Sequence, residues 1–268
     1  FDGANGAGYK VGPRTLNELG AEVITIGCSP NGRNINHGCG STHPELLQKT
    51  VIAVGAAVGI ALDGDGDRVV MVDECGEIVD GDQMLYVLAT ALKAEDKLVG
   101  PVVGTVMSNL GLEHALEDQG VSFRRAAVGD RYVLEALRDS GGIVGGETSG
   151  HLIYLDKTTT GDGLVVALQI LAVMRRSGKP LSKLTAGMSR YPQTMLNVKT
   201  KKHLDPDSYP EICVAVTNAE AELEKAGRVV LRASGTEPVI RVMVEGRDQR
   251  QVLKVAKSLA AVVTKVAG

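Results

Sequence analysis

The sequence predicts an α/β fold with two α/β units followed by a small α+β unit. Two observations support this prediction. As far as Pro180, short apolar strand candidates alternate with helical segments, which is the pattern of parallel sheets layered with helices. Beyond Pro180 the pattern changes to strand, helix, two strands and a helix. The length of 268 residues suits two domains or three small ones.

The first unit, placed at residues 1–79, has strand signals around one helix. Apolar or β-branched runs predict strands at 21–27, 58–62, 69–72 and 77–79, and apolar periodicity predicts a helix at 44–54. Glu74-Cys75-Gly76 indicates a hairpin turn between the last two strands. The opening residues resemble the end of a buried strand that runs into a glycine-rich turn, with no Met before them. We therefore expect a fragment that has lost its first strand.

The other two units follow in order. The second unit, at 80–190, has predicted helices at 82–93, 109–119, 130–138 and 163–176, and Ser108 is the predicted cap of the helix that ends at 119. Its predicted strands lie at 101–106, 123–128 and 142–146. The third, at 191–268, has predicted strands at 194–200, 229–233 and 239–246 and helices at 211–225 and 249–266. A polar loop at 201–209 is expected to be exposed.

Composition excludes several classes of function. The 29 Lys and Arg against 32 Asp and Glu give a net charge of −3, which offers no electrostatic footprint for nucleic acid. The most apolar stretch, 164–174, is interrupted by Gln169 and is far shorter than the ~20 residues of a membrane span. The four cysteines form neither a CxxC pair nor a metal-binding spacing. We expect a reduced cytoplasmic protein with no nucleic-acid or membrane partner, and nothing in the sequence sets its oligomeric state.

The sharpest motif is the acidic loop, DGDGDR at residues 63–68, which follows a strand candidate. Asp63, Asp65 and Asp67 are spaced by glycines that permit a tight backbone path. Three hard oxygen ligands suit Mg²⁺, and Arg68 beside them can pair with a phosphate oxygen. One alternative is a solvated acidic turn. Another is an EF-hand, although Arg68 stands where that loop needs glycine and the flanks look like strands.

A second motif is the arginine loop, RASGTEP at residues 232–238, with Arg241 shortly after it. Its hydroxyls, exposed backbone and two arginines match the oxygens of a phosphate, because amide N–H groups and guanidinium forks both donate to them. A hairpin turn with exposed arginines is the alternative.

Three weaker motifs lie in the second unit. In the GETSGH loop, residues 146–151, Glu147 and Ser149 can bond sugar hydroxyls and His151 can move a proton or contact phosphate. VGDRY at 128–132 starts a helix, where Arg131 can help bind an anion or Asp130 can simply cap the helix. TTTGDG at 158–163 precedes the long helix and can be only a polar cap.

Together these five motifs resemble the α-D-phosphohexomutase superfamily, in order and over residues 1–266. The resemblance implies three similar α/β/α domains with mixed sheets and a smaller C-terminal domain around one cleft, of which this chain covers most of the second and all of the last two. It also implies an intramolecular phosphotransferase that converts sugar 6-phosphates to sugar 1-phosphates through a phosphoserine and a bisphosphate. VGDRY and TTTGDG favour glucosamine phosphates over mannose or glucose phosphates.

The resemblance also implies roles for individual residues. Mg²⁺ would be the cofactor, a phosphosugar the small-molecule partner, and Arg68 and His151 the catalytic side chains. The implied ligands of the metal are Asp63, Asp65 and Asp67. The implied substrate-binding residues are Arg131, Glu147, Ser149, Arg232, Ser234, Gly235, Thr236 and Arg241.

One departure concerns the nucleophile. The superfamily's first domain carries a Ser-His-Asn-Pro-type loop with the phosphorylated serine, and the printed sequence contains no Asn-Pro. We therefore expect this chain alone to be inactive. A non-catalytic module that binds Mg²⁺ and a phosphosugar, and a relative that acts on mannose or glucose phosphates, remain as alternatives.

Overall fold

The computed structural model describes residues 1–201, 205–234 and 237–267. By backbone contacts the chain forms two compact units. The first consists of Phe1–Ser108 and Leu112–Ser189, and the second consists of Asn109–Gly111 and Arg190–Gly268.

The α-helices in chain order are α1 Val11–Glu18, α2 Glu45–Val54, α3 Gly81–Ala94, α4 Leu110–Asp118, α5 Asp130–Ser140, α6 Gly163–Ser177, α7 Leu181–Thr185, α8 Pro210–Leu223 and α9 Gln249–Ala267. Short 3-10 turns lie at Ala7–Tyr9, Pro206–Ser208 and Glu224–Ala226. The strands are β1 Gly59–Leu62, β2 Val69–Val72, β3 Ile78–Val79, β4 Val102–Thr105, β5 Phe123–Ala126, β6 Val144–Gly146, β7 Leu152–Tyr154, β8 Gln193–Lys199, β9 Gly227–Ala233 and β10 Val239–Gly246.

The first unit contains two sheets. In one, β1, β2 and β3 pair antiparallel in that order, while Asp2 bridges Ile26 and Ala61 in parallel. In the other, with the order β5-β4-β6-β7, β4 is parallel to both neighbours and β7 is antiparallel to β6. Both sheets are therefore mixed in direction when the bridges are included, as the superfamily resemblance implied.

Both sheets of the first unit contribute to one hydrophobic cluster. It includes Leu62 of β1, Met71 of β2, Leu85 of α3, Leu152 of β7 and Ile170 of α6. Because the β1–β2 hairpin is buried against these helices, the loop at its tip has a rigid base.

The second unit is an antiparallel sheet, β8-β10-β9, packed against two helices. Val242 and Val244 of β10 are buried against Ile212 of α8 and Val255 and Leu259 of α9. This confirms the small α+β unit. Within the described ranges, no helix is long and apolar enough to cross a membrane, and all four cysteines are free thiols.

Two local predictions were wrong. Residues 21–27 form no regular strand but only an isolated bridge at Ile26, because their pairing partner is the short segment 1–3. There the Phe1 amino group donates to the Ile24 carbonyl (2.7 Å) and the Ile26 N–H donates to the Phe1 carbonyl (2.8 Å). The helix expected after a Ser108 cap begins at Leu110, and the side chain of Asn109 accepts the Gly111 N–H (2.9 Å). The prediction also missed α1, β7 and α7, whose apolar patterns are short.

Candidate functional site

The acidic loop connects β1 to β2 at the tip of the buried hairpin. Asp63 is only 8% exposed, Asp67 is half-buried and Asp65 is exposed. One carboxylate oxygen from each of the three lies within 4.8 Å of the others. The fold thus brings all three predicted carboxylates together, and this set of hard oxygen donors fits a cation such as Mg²⁺.

The charge of this loop is incompletely compensated by the protein. Burial, together with the charges of Asp67 and Asp65, raises the pKa of Asp63 to about 6, although the Arg68 N–H donates to Asp63 Oδ1 (3.1 Å) and opposes the increase. Arg68 Nε lies 4.0 Å from Asp63 Oδ2 and 3.9 Å from Asp67 Oδ1, and its side chain is 45% exposed. At such distances one partly hydrated guanidinium offsets little of the repulsion between three carboxylates.

His151 lies beside the same loop. Its Nδ1 is 3.1 Å from Asp67 Oδ2, and the residue is only 4% exposed. Among the residues described, its buried Nε2 has no hydrogen-bond partner. A Cβ at Gly161 would come within 2.3 Å of Nε2, so the TTTGDG segment covers this side of the ring. The histidine therefore orients a carboxylate of the acidic loop and does not face open solvent.

The GETSGH loop is held by contacts to three elements. Glu147 Oε1 accepts the N–H of Gly129 at the start of α5 (2.8 Å), and Ser149 Oγ donates to Glu147 Oε2 (3.4 Å). The Thr148 hydroxyl donates to Asp82 Oδ2 of α3 (2.8 Å). Val69 of β2 donates its N–H to the carbonyl of Gly150 (3.1 Å). Glu147 and Ser149 are thus placed on a fixed loop that lies against the β1–β2 hairpin.

The other two motifs, VGDRY and TTTGDG, also lie in the first structural unit and make contacts within their own helices. Arg131 is exposed and its Nε pairs with Glu135 Oε1, one turn along α5 (2.8 Å). The contact from VGDRY to Glu147 is therefore made by a backbone N–H and not by the arginine. Asp162 of TTTGDG caps α6 by accepting the Val165 N–H (2.9 Å), so the motif is a helix cap, although Gly161 in the same motif also packs against His151.

The arginine loop belongs to the second unit. Arg232 on β9 stands directly opposite Arg241 on β10. Like charges at opposed positions destabilise a sheet, so this pair favours a bound anion. Ser234 is buried and donates its N–H to the Val239 carbonyl (2.8 Å). Gly235 and Thr236, which the sequence also placed in this loop, lie outside the described residues.

Sequence reasoning missed two contacts of the site, although Gly161 lies in the TTTGDG motif that the sequence singled out. Asp82 and Gly161 contact the predicted residues from distant elements, through Thr148 and His151 respectively. Asp82 is fully buried, but in the sequence it looked like an ordinary acidic residue in the first turn of a helix. No local pattern reveals either contact, because both depend on how loops pack.

The sequence matches models of known protein domains along nearly its whole length. Phosphoglucomutase/phosphomannomutase α/β/α domain II matches residues 1–76, α/β/α domain III matches 80–191, and the C-terminal domain matches 195–262. All five motifs fall within these matched ranges.

Curated relatives agree with these matches. The chain is 54% identical to the phosphoglucosamine mutase of Thioalkalivibrio sulfidiphilus over 99% of its own length and 60% of the relative. It is 55% identical to the phosphoglucosamine mutase of a Psychrobacter species over 99% of its length and 58% of that protein. The chain thus spans about three fifths of the length of the curated relatives it matches.

A solved structure shows the same fold. The N-acetylphosphoglucosamine mutase of Aspergillus fumigatus, in complex with GlcNAc-6P and magnesium, is 21% identical and superimposes with a TM-score of 0.77. The match covers 98% of this chain and 64% of that one. From the domain matches and the relatives together, we conclude that this chain belongs to the phosphoglucomutase/phosphomannomutase family of the α-D-phosphohexomutase superfamily.

Proposed function

We propose that this chain supplies the metal-binding, sugar-binding and phosphate-binding loops of a phosphoglucosamine mutase, which interconverts glucosamine 6-phosphate and glucosamine 1-phosphate. One observation carries the proposal: the converging carboxylates of Asp63, Asp65 and Asp67 occur in a sequence 54% identical to a phosphoglucosamine mutase over 99% of its length. The domain division 1–79, 80–190 and 191–268 is part of the proposal.

The proposed cofactor is Mg²⁺, held by the three aspartates of the acidic loop. Their oxygens are hard donors, and the pKa of Asp63, raised to about 6, reflects a buried charge that a cation would offset. When bound, Mg²⁺ neutralises charge on a transferring phosphoryl group. The Aspergillus structure, whose fold this chain shares, contains magnesium.

Arg68 and His151 are proposed to act at the same loop. The exposed guanidinium of Arg68 can pair with phosphate oxygens, and its backbone N–H holds Asp63. His151 Nδ1 lies within hydrogen-bond distance of the Asp67 carboxylate and so orients this proposed metal ligand. The serine that donates the phosphoryl group is not among the residues printed, so in this proposal it is contributed from outside them.

The sugar and the non-reacting phosphate are assigned to separate loops. Glu147, whose Oε1 accepts the Gly129 N–H, and Ser149 would accept and donate hydrogen bonds to sugar hydroxyls. Arg232 and Arg241 would bind the non-reacting phosphate, with Ser234 and the undescribed Gly235 and Thr236. Arg131, exposed on α5, is the weakest of these assignments because its guanidinium already pairs with Glu135.

Calorimetric titration tests the binding part of the proposal. Glucosamine 6-phosphate is added to the chain in the presence of Mg²⁺, and glucose 6-phosphate and mannose 6-phosphate are the controls. We expect saturable heat with the tightest binding for the amino sugar. Equal binding of all three sugars would favour a relative of different specificity, and no heat at millimolar ligand would contradict the proposal.

Catalysis is tested in a fusion with the part of a relative that this chain does not match. The region of the Thioalkalivibrio relative that precedes its match to this chain is fused before Phe1, and ³¹P NMR follows the conversion of the 6-phosphate to the 1-phosphate. Conversion supports the mutase. Binding without conversion by the fusion would support a non-catalytic module.

A further inference from the structure

We infer that two backbone N–H groups, those of Ala7 and Gly163, set the cation affinity of the acidic loop by holding its two glycine carbonyls. Ala7 lies in the opening glycine-rich turn and Gly163 ends TTTGDG, two motifs to which the proposed function gives no chemical role. The inference rests on the cation site of the proposed function and assigns positioning residues to it.

The two contacts have the same form. The Ala7 N–H donates to the Gly64 carbonyl oxygen at 2.8 Å, and the Gly163 N–H donates to the Gly66 carbonyl oxygen at 2.9 Å. In the chain, Gly64 lies between Asp63 and Asp65, and Gly66 lies between Asp65 and Asp67. Each anchored carbonyl therefore lies between two successive carboxylates.

Close packing reinforces both anchors. A Cβ on Gly6 would come within 2.1 Å of the Gly64 carbonyl oxygen, and a Cβ on Gly163 would come within 2.6 Å of the Arg68 carbonyl oxygen. Both approaches are shorter than any ordinary contact, so only glycine allows these segments to lie so near the loop. The loop is thus packed on two sides by backbone segments that leave no room for a side chain.

Such anchoring matters because the loop is otherwise disposed to open. Its glycines give it conformational freedom, and its three carboxylates repel one another when no cation is bound. A loop ordered before binding does not lose that freedom on binding, so its affinity is higher. Loss of either anchor should weaken cation binding even where the three carboxylates remain.

Two variants disturb one anchor each, the first by removing the N–H and the second by displacing the segment that carries it. Ala7→Pro replaces the N–H by a ring Cδ that points at the Gly64 carbonyl oxygen, so this contact has to open. The position is exposed and begins a 3-10 turn, and Gly6 before it is extended (φ −111°, ψ −160°), as a residue preceding proline should be. Ala7→Ser keeps the N–H and is the matched control. Gly163→Ala forces a methyl group against the Arg68 carbonyl. Its control is Gly178→Ala, which strains the left-handed C-cap of the same helix (φ +65°) at the end of α6 opposite to Gly163 and therefore shows what local strain alone does to cation binding.

The affinity is measured with Mn²⁺ by electron paramagnetic resonance of the free ion, with Mg²⁺ as competitor. We expect Ala7→Pro and Gly163→Ala to raise the dissociation constant about tenfold each, the loss expected for one hydrogen bond that orders a site. Ala7→Ser and Gly178→Ala should bind as the unaltered chain does. The thermal midpoint in EDTA and its increase on adding Mn²⁺ are recorded for every variant, since a purely structural role would lower the midpoint without reducing that increase.

The outcomes separate the two claims. Unchanged Mn²⁺ binding by both anchor variants would overturn this inference and leave the cation site intact. No binding by the folded, unaltered chain would overturn the cation site and the inference with it. If Ala7→Pro does not fold, Gly163→Ala decides the question alone, because it leaves the opening turn unchanged.

Discussion

Replacing Asp63 by Asn should stabilise the chain in the absence of a cation. Burial raises the pKa of this carboxyl from 3.8 to about 6, so the folded state disfavours the ionised form. Asn keeps the shape and the acceptor for the Arg68 N–H, which now donates to Asp63 Oδ1 at 3.1 Å. The substitution therefore removes the charge with little change in packing.

The magnitude and the pH range follow from the two pKa values. At about 1.4 kcal/mol per pKa unit, the difference corresponds to about 3 kcal/mol, and water at this surface loop reduces it to an expected ~1.5 kcal/mol. Because the pKa is higher in the folded state, the cost begins near pH 3.8, where the carboxyl ionises in the unfolded chain but not in the folded one, and it is complete above about pH 6, where the folded carboxyl ionises as well. The gain should be full at pH 8 and absent below the unfolded value of 3.8.

Urea unfolding in EDTA, followed by far-UV circular dichroism at pH 8 and pH 3.5, measures this difference. Asp139→Asn, on the exposed face of α5, is the control for loss of one negative charge and should change the free energy of unfolding by less than about 0.5 kcal/mol. A variant at Asp63 that is no more stable than the parent at pH 8, or equally stabilised at both pH values, would refute the argument from burial.

Three further predictions concern the same surfaces. Cation affinity should fall as pH decreases through about 6, because a proton competes with the cation for the Asp63 carboxylate. Calorimetric titration with Mg²⁺ in buffers of different ionisation enthalpy should detect the release of this proton, and an affinity that does not change with pH would contradict the prediction. Gly161→Ala should lower the free energy of unfolding by about 1–3 kcal/mol, since its methyl group overlaps His151 Nε2, and equal urea midpoints would count against the packing described. Without phosphate, Arg232→Ala or Arg241→Ala should raise the thermal midpoint slightly, because each removes a cross-strand repulsion. Each should also abolish the stabilisation that inorganic phosphate provides, because a phosphate donor is lost, and a phosphate-induced shift equal to that of the parent would exclude the assignment.

The sequence alone was sufficient for the elements with strong local patterns. The bounds of α2, α6 and β10 follow from apolar periodicity, and the turn at 74–76 follows from Gly76, whose φ of +85° favours glycine. The acidic loop was also predictable, because alternation of Asp and Gly after a buried strand places three carboxylates in one short turn whatever the rest of the fold does.

Only the tertiary structure decided what surrounds that loop. His151 is 84 positions from Asp67 in the chain, and the Gly163 N–H that donates to the Gly66 carbonyl belongs to the first residue of α6. Neither contact therefore has a local signal in the sequence. The weak motifs at 146–151 and 158–163 gain roles only because α3 and α6 share one hydrophobic cluster with the β1–β2 hairpin. Local propensity determines which residues form a turn, whereas the burial of apolar faces determines which turns meet.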